Sequence, residues 1–204
     1  MRVLSVFLFS LLLAPPAFAG DVTGQFAFTK KAPVVALVYF PEDSSAPKTG
    51  VHVDQVDKNF NTKLVVAPKG TPILLKNSDT VQHNIFADDK KTGVTFDSGL
   101  VDPGSEATQA IDWDEGQIVR IGCKIHPRMS MYGGSISSNF KAVVEFNKEL
   151  NKGVTITVVP DKLTKVKVWI ARFYPQEATL PPGGSATIEL TRKNKVYGTL
   201  TLNR

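Results

Sequence analysis

The sequence predicts an all-β fold arranged as two β-sandwiches, the second smaller than the first. Three observations carry that expectation. Short runs rich in Val, Ile and Thr recur along the chain, at 34–40, 63–67, 72–76, 117–122, 142–146, 154–159, 163–173, 186–190 and 197–202. Turn-forming clusters separate them, among them Pro68-Lys69-Gly70, Pro103-Gly104 and Pro181-Pro182-Gly183-Gly184. Beyond residues 1–19, no long stretch places apolar side chains at helical spacing. This rhythm points to antiparallel sandwiches.

Residues 1–19 read as a secretory signal peptide. Arg2 supplies the positive start, residues 3–13 the apolar core, and Ala17-Phe18-Ala19 a small-residue cleavage site. The apolar run is too short to span a bilayer, and no Cys stands at the cleavage point to carry a lipid. The expected mature chain therefore starts at Gly20 and is soluble and periplasmic. Arg2 is the only charged residue of the leader, so its removal takes the formal net charge from +5 to +4. The lysines are scattered, with no basic run interleaved with aromatics, which leaves nucleic-acid binding without support. An acidic protein partner is compatible with that charge.

Residues 20–49 hold two apolar stretches and end in Glu42-Asp43-Ser44-Ser45-Ala46-Pro47, a polar loop that reads as a boundary. Residues 50–138 hold every candidate ligand. Residues 139–204 contain no His, Cys or Met and read as plain alternating strands such as Val166-Lys167-Val168-Trp169-Ile170.

The chemistry concentrates in Gly122-Cys123-Lys124-Ile125-His126-Pro127-Arg128-Met129 and, upstream, His83-Asn84-Ile85. The chain has one Cys and three His, so two of those His and the only Cys fall in this constellation. A thiolate, two imidazoles and a thioether form the ligand set of a blue-copper site, a trigonal His, His and Cys plane with a weak axial Met. A lone Cys cannot close an internal disulfide, and a bound metal gives an exported thiol a stable occupant. The alternative is an inert buried Cys.

The spacing is suited to the task. Cys123 ends the strand 117–122, and His126 returns to the same side after two intervening residues. Pro127 stiffens the loop, Met129 reaches an axial position as the next strand begins, and His83 arrives from a separate loop. Met131 is an alternative axial ligand; loop length favours Met129 and leaves Met131 packed near the site. Asn84 either ties the ligand loops together near the thiolate or serves as an ordinary turn residue. His52, in Val51-His52-Val53-Asp54-Gln55, sits on the polar face of a strand and is left out of the site. Two His and one Cys also suit zinc, but the single thiolate and the placed Met favour copper, one type 1 ion per chain.

These residues resemble the cupredoxin family, the plastocyanin, azurin and amicyanin group, and the Cys-x-Ile-His-Pro-x-Met loop is most similar to its short-loop, amicyanin-like members. Asp54-Gln55, Phe60, the run from Val65 to Pro72, Asn77-Ser78-Asp79 and Phe96-Asp97-Ser98-Gly99 extend the likeness to exported methylamine-utilisation-like proteins. The resemblance implies a Greek-key cupredoxin sandwich over 50–138 with His83, Cys123, His126 and Met129 as ligands. It further implies that 20–49 and 139–204 together form a carboxypeptidase-regulatory or transthyretin-like sandwich into which the first is inserted. One departure is Ile121, where many cupredoxins carry an aromatic residue; no loss of copper binding is expected from it.

The expected function is that of an exported type 1 copper protein carrying single electrons between redox partners. Docking is expected near His126, with Pro127 and Met131 as apolar contacts and Arg128 at the rim. The alternatives are extracytoplasmic copper binding or trafficking, or a partner-binding module with a structural metal. An enzyme is not expected. A catalytic copper needs further His and only His52 remains, while Asp88-Asp89, Asp112, Asp114 and Glu115 read as solvated loop carboxylates.

Overall fold

The computed structural model describes residues 18–204, so the charged start and apolar core of the expected signal peptide lie outside the described residues. Of its cleavage site, Phe18 and Ala19 are described, Ala19 as the first residue of a strand. Among the described residues the chain is all-β, and no helix is long and apolar enough to cross a membrane.

The chain opens with β1 (Ala19–Phe28) and β2 (Val35–Tyr39), then passes through β3 (Val51–Val56), β4 (Asn59–Phe60), β5 (Leu64–Ala67), β6 (Pro72–Asn77), β7 (His83–Asp89), β8 (Val94–Val101), β9 (Glu106–Ala110), β10 (Ile118–Cys123) and β11 (Ser130–Ser135). It closes with β12 (Lys141–Glu145), β13 (Asn151–Pro160), β14 (Lys165–Ile170), β15 (Gln176–Thr179), β16 (Ser185–Arg192) and β17 (Lys195–Asn203). Four sheets result. Strands β3 to β11 form two of them, in the orders β4-β3-β6-β9 and β5-β11-β10-β7-β8. The flanking strands form the other two, β13-β1-β17-β16 and β12-β2-β14-β15.

Each pair of sheets encloses its own core. Val53, Ile73, Leu75, Ile85, Ile111, Trp113, Val119, Ile121 and Met131 fill the first sandwich. Phe26, Phe146, Val166, Val168, Leu200 and Leu202 are among the residues filling the second, where Phe26 and Phe146 meet edge to face at 5.3 Å. Alternation explains most of this: along β14, Val166, Val168 and Ile170 are buried while Lys165 is exposed.

Strand β2 breaks the alternation, because all five of its residues are buried. Ala36 and Val38 face the second core, whereas Val35, Leu37 and Tyr39 pack with Leu64, Ile136 and Ala171 in a third apolar layer. That layer joins the two sandwiches, and Tyr132 of β11 meets Trp169 of β14 there edge to face at 5.0 Å. A continuous apolar strand is what burial on both faces requires.

Most strand pairings are antiparallel, as expected, but two are parallel. Strand β3 runs parallel to β6, with Val53 opposite Leu75, and β11 runs parallel to β5, with Gly133 opposite Val65. Alternation and turn residues mark where strands begin and end. They do not reveal which strand becomes the neighbour once the chain switches sheets.

Candidate metal centre

Strand pairing alone brings two candidate ligands to one end of the first sandwich. Strand β10 pairs antiparallel with β7, placing Cys123 opposite Ile85, two residues along from His83. Sequence reading put His83 in a loop; it is instead the first residue of β7, paired with Val101 of β8. A strand holds an imidazole more firmly than a loop does, since its backbone is fixed on both sides. Gly122 permits the close approach here, because a Cβ on it would lie 3.3 Å from the Phe86 ring.

His126 comes from the short connection between β10 and β11. Its carbonyl accepts a hydrogen bond from Met129 N–H at 2.9 Å, closing a turn. Pro127 occupies the second position of that turn, where its fixed φ is already suitable.

The three donor atoms converge. Cys123 Sγ lies 3.7 Å from His83 Nδ1 and 3.7 Å from His126 Nδ1, and the two Nδ1 atoms are 3.1 Å apart. A first-row metal ion with bonds of about 2.0–2.3 Å fits a triangle of this size. Among the described residues this is the one such cluster of His, Cys and carboxylates. His83 and Cys123 are buried, and His126 is half-buried. His52 lies exposed on β3, in the other sheet of the sandwich.

Asp79 is the residue that sequence reading missed. Its Oδ2 lies 3.1 Å from His83 Nε2 and also accepts the Lys58 N–H at 2.7 Å. The Lys58 amide, then Thr80 N–H and His83, hold the Asp79 carboxyl below its ordinary value, so it remains an acceptor. An ionised partner on Nε2 leaves the Nδ1 lone pair of His83 for the centre of the triangle. The available signal was spacing, since Asp79 stands four residues before His83. Buried Asn77 anchors the same loop by donating from Nδ2 to the carbonyls of Val81 and Val101, each at 2.9 Å.

Asn84 joins the ligand segments. Its backbone N–H points at Cys123 Sγ at 3.4 Å, and its side-chain Nδ2 donates to Asp97 Oδ1 at 2.5 Å. Asp97 in turn pairs with Lys124, the residue after Cys123. The Asp97 carboxyl is drawn down to about 2 by Lys124 first, then by the Gly99 amide and Asn84. His126 titrates below the ordinary imidazole value, through burial first and then the His83 imidazole and the Lys58 cation. A neutral imidazole is the form that binds metal.

Met129 and Met131 are both fully buried in the core that contains Cys123. Met131 is therefore corrected as a docking contact, since no part of it reaches the surface. Its strand position turns it inward opposite Ile121. The exposed apolar residues around His126 are Ile125 and Pro127, and Leu100, paired with Asn84 on β8, is also exposed. Asp88 and Asp89, expected in a loop, are the last residues of β7.

No family model matches the chain, and no curated protein matches it. Several solved structures do. A purple cupredoxin from Nitrosopumilus maritimus is 18% identical, with a TM-score of 0.35 over 41% of this chain and 97% of its own. Amicyanin from Paracoccus versutus is 16% identical, with a TM-score of 0.37 over 48% of this chain and 94% of its own. A copper-containing nitrite reductase from Thermus scotoductus is 20% identical, with a TM-score of 0.37 over 41% of this chain and 21% of its own.

Proposed function

We propose that this chain is an exported type 1 copper protein that carries single electrons between partner proteins and is not itself an enzyme. The observation that carries the reading is the buried Cys123 thiol facing two imidazole Nδ1 atoms in one compact triangle. A copper ion held there would supply a one-electron couple. Every other contribution comes from the chain. Asp79 fixes the ring of His83, the Asn84 N–H stabilises charge on the Cys123 sulfur, and the Asn84–Asp97–Lys124 link keeps the β10–β11 loop against β7 and β8.

Met129 is the proposed axial ligand and Met131 the alternative. Gly122 pairs with Ser130, so the same register carried one step further sets Met129 beside Cys123. Met131 pairs with Ile121, two residues deeper into the sandwich.

Electrons would leave through His126, the ligand nearest solvent, with Ile125 and Pro127 as the apolar surface on which a redox partner docks. Copper trafficking or a structural metal is the second reading, favoured by the zinc-compatible set of two His and one Cys. Export would follow cleavage after Ala19, and the flanking strands would be a carboxypeptidase-regulatory or transthyretin-like module.

The test is the visible and EPR spectrum of the protein titrated with Cu(II). An intense blue or purple thiolate-to-copper band with narrow hyperfine splitting, abolished by Cys123→Ser, is the expected outcome. A pale adduct, or tight zinc binding with rapid loss of copper to a chelator, would overturn electron transfer in favour of the second reading.

A further inference from the structure

Beside the metal-binding loop, where the two sandwiches meet, lies a cleft of about 350 Å³. Five cationic residues line it: Lys31, Lys63, Arg128, Arg172 and Arg192. No carboxylate does. Among the described residues none of the five forms an ion pair. The neighbouring Glu145 is engaged elsewhere, accepting from the Lys63 backbone N–H at 2.7 Å and the Thr62 hydroxyl at 3.1 Å.

We propose that this cleft binds a small organic anion carrying two or more negative charges, of the polycarboxylate or phosphate-ester class. Five like charges around one hollow repel one another, and a multivalent anion relieves that repulsion. Three of the five are arginines, whose planar forks match carboxylate and phosphate oxygens two at a time. The lining is not uniformly polar. Tyr132, Phe173 and Tyr197 also line the cleft, with Phe173 and Tyr197 in edge-to-face contact at 5.7 Å, and they give the carbon skeleton of a ligand an apolar wall.

Arg172 lies in the turn after β14, separated from the strand by Ala171, with φ at +71°. Its neighbours fix it there, Ala171 N–H donating to the Val35 carbonyl at 3.2 Å and Phe173 N–H to the Ile170 carbonyl at 3.0 Å. The cleft volume lies at the small end of the range for ligand pockets and suits a compact molecule.

Isothermal titration of citrate and of pyrophosphate into the full chain tests the proposal, with and without bound metal so that the result stands apart from the copper reading. Saturable one-to-one binding of at least one probe is expected. The Arg172→Gln/Arg192→Gln pair should weaken it about tenfold or more. A Lys69→Gln/Lys152→Gln pair, removing charge elsewhere on the surface, should leave it unchanged. If the first pair does not fold, Lys63→Gln/Arg192→Gln replaces it. The proposal is overturned if neither probe binds more tightly than about 1 mM, or if both charge pairs weaken binding equally. It is also overturned if only polyglutamate binds, which would make the cleft a seat for an acidic protein segment.

Discussion

Asp79 governs His83 from outside the donor triangle. The carboxylate receives three hydrogen bonds, from Lys58 N–H, Thr80 N–H and His83 Nε2, and its side chain is 8% exposed. Asp79→Asn keeps the size but loses the charge that favours the Nε2–H tautomer. We expect metal affinity to fall about 10–100-fold, read by competition with a chelator; an unchanged affinity would mean that strand β7 alone orients the ring. Asp97 makes a second, pH-dependent prediction. Its pKa is lowered to about 2, so its contribution to stability is complete above the ordinary carboxylate range and fades as pH falls through about 2. The urea midpoint of Asp97→Asn should therefore lie below that of the parent at pH 5 and approach it near pH 2. A gap that stays constant with pH would remove Asp97 from the acid response. The cluster of His83, Cys123 and His126 was legible in the sequence because such donors are scarce in this chain. Asp79 was not, because its spacing of four from His83 marks no contact until the fold sets it against the imidazole.

Strand β13 carries the clearest local strain. Between the pairs Gly20–Val159 and Val22–Ile156, one residue of β1 faces two of β13, a bulge that leaves Val158 at φ +55°. A β-branched residue there costs about 1–2 kcal/mol. Val158 is 63% exposed, so little burial is lost on replacement, and its N–H can still donate to Asp21 Oδ1 at 2.9 Å. Val158→Asn should raise stability by about 1 kcal/mol, a gain of roughly 2–4 °C in Tm. A flat or lowered Tm in a calorimetric scan would show that the bulge adapts to valine. Several of the strands that pattern reading passed over share a physical trait, although the Gly-containing β1 and β11 are interior. Strands β4, β8, β9 and β15 are all sheet edges. An edge strand with a solvated face, such as Glu106-Ala-Thr-Gln-Ala110, needs no large apolar residue, so the feature that betrays a strand is missing. Interior strands such as β10 and β14 announced themselves through Val and Ile. Strand β7 is interior yet was read as a loop at its start, because His83 and Asn84 are polar residues buried for the sake of the site.

The two sandwiches are bound into one body by a strand with no outside face. Leu37 is fully buried and lies in the layer that also holds Leu64 and Ile136, contributed by the half with the donor triangle. On the opposite side of the same strand, Ala36 and Val38 belong to the flanking core. Whatever disturbs β2 is therefore felt by both halves, and the cationic cleft lies along the same seam, with Val34 and Ala171 in its lining. Leu37→Ala should cost about 2–5 kcal/mol, since neither packed face can collapse into the space without moving the other. Because β2 also carries backbone pairings to β12 and β14, the loss falls on the join more than on either core. The parent should melt in one calorimetric transition and the variant in two. A single transition displaced by less than about 1 kcal/mol would mean that the sandwiches stay joined without the Leu37 side chain.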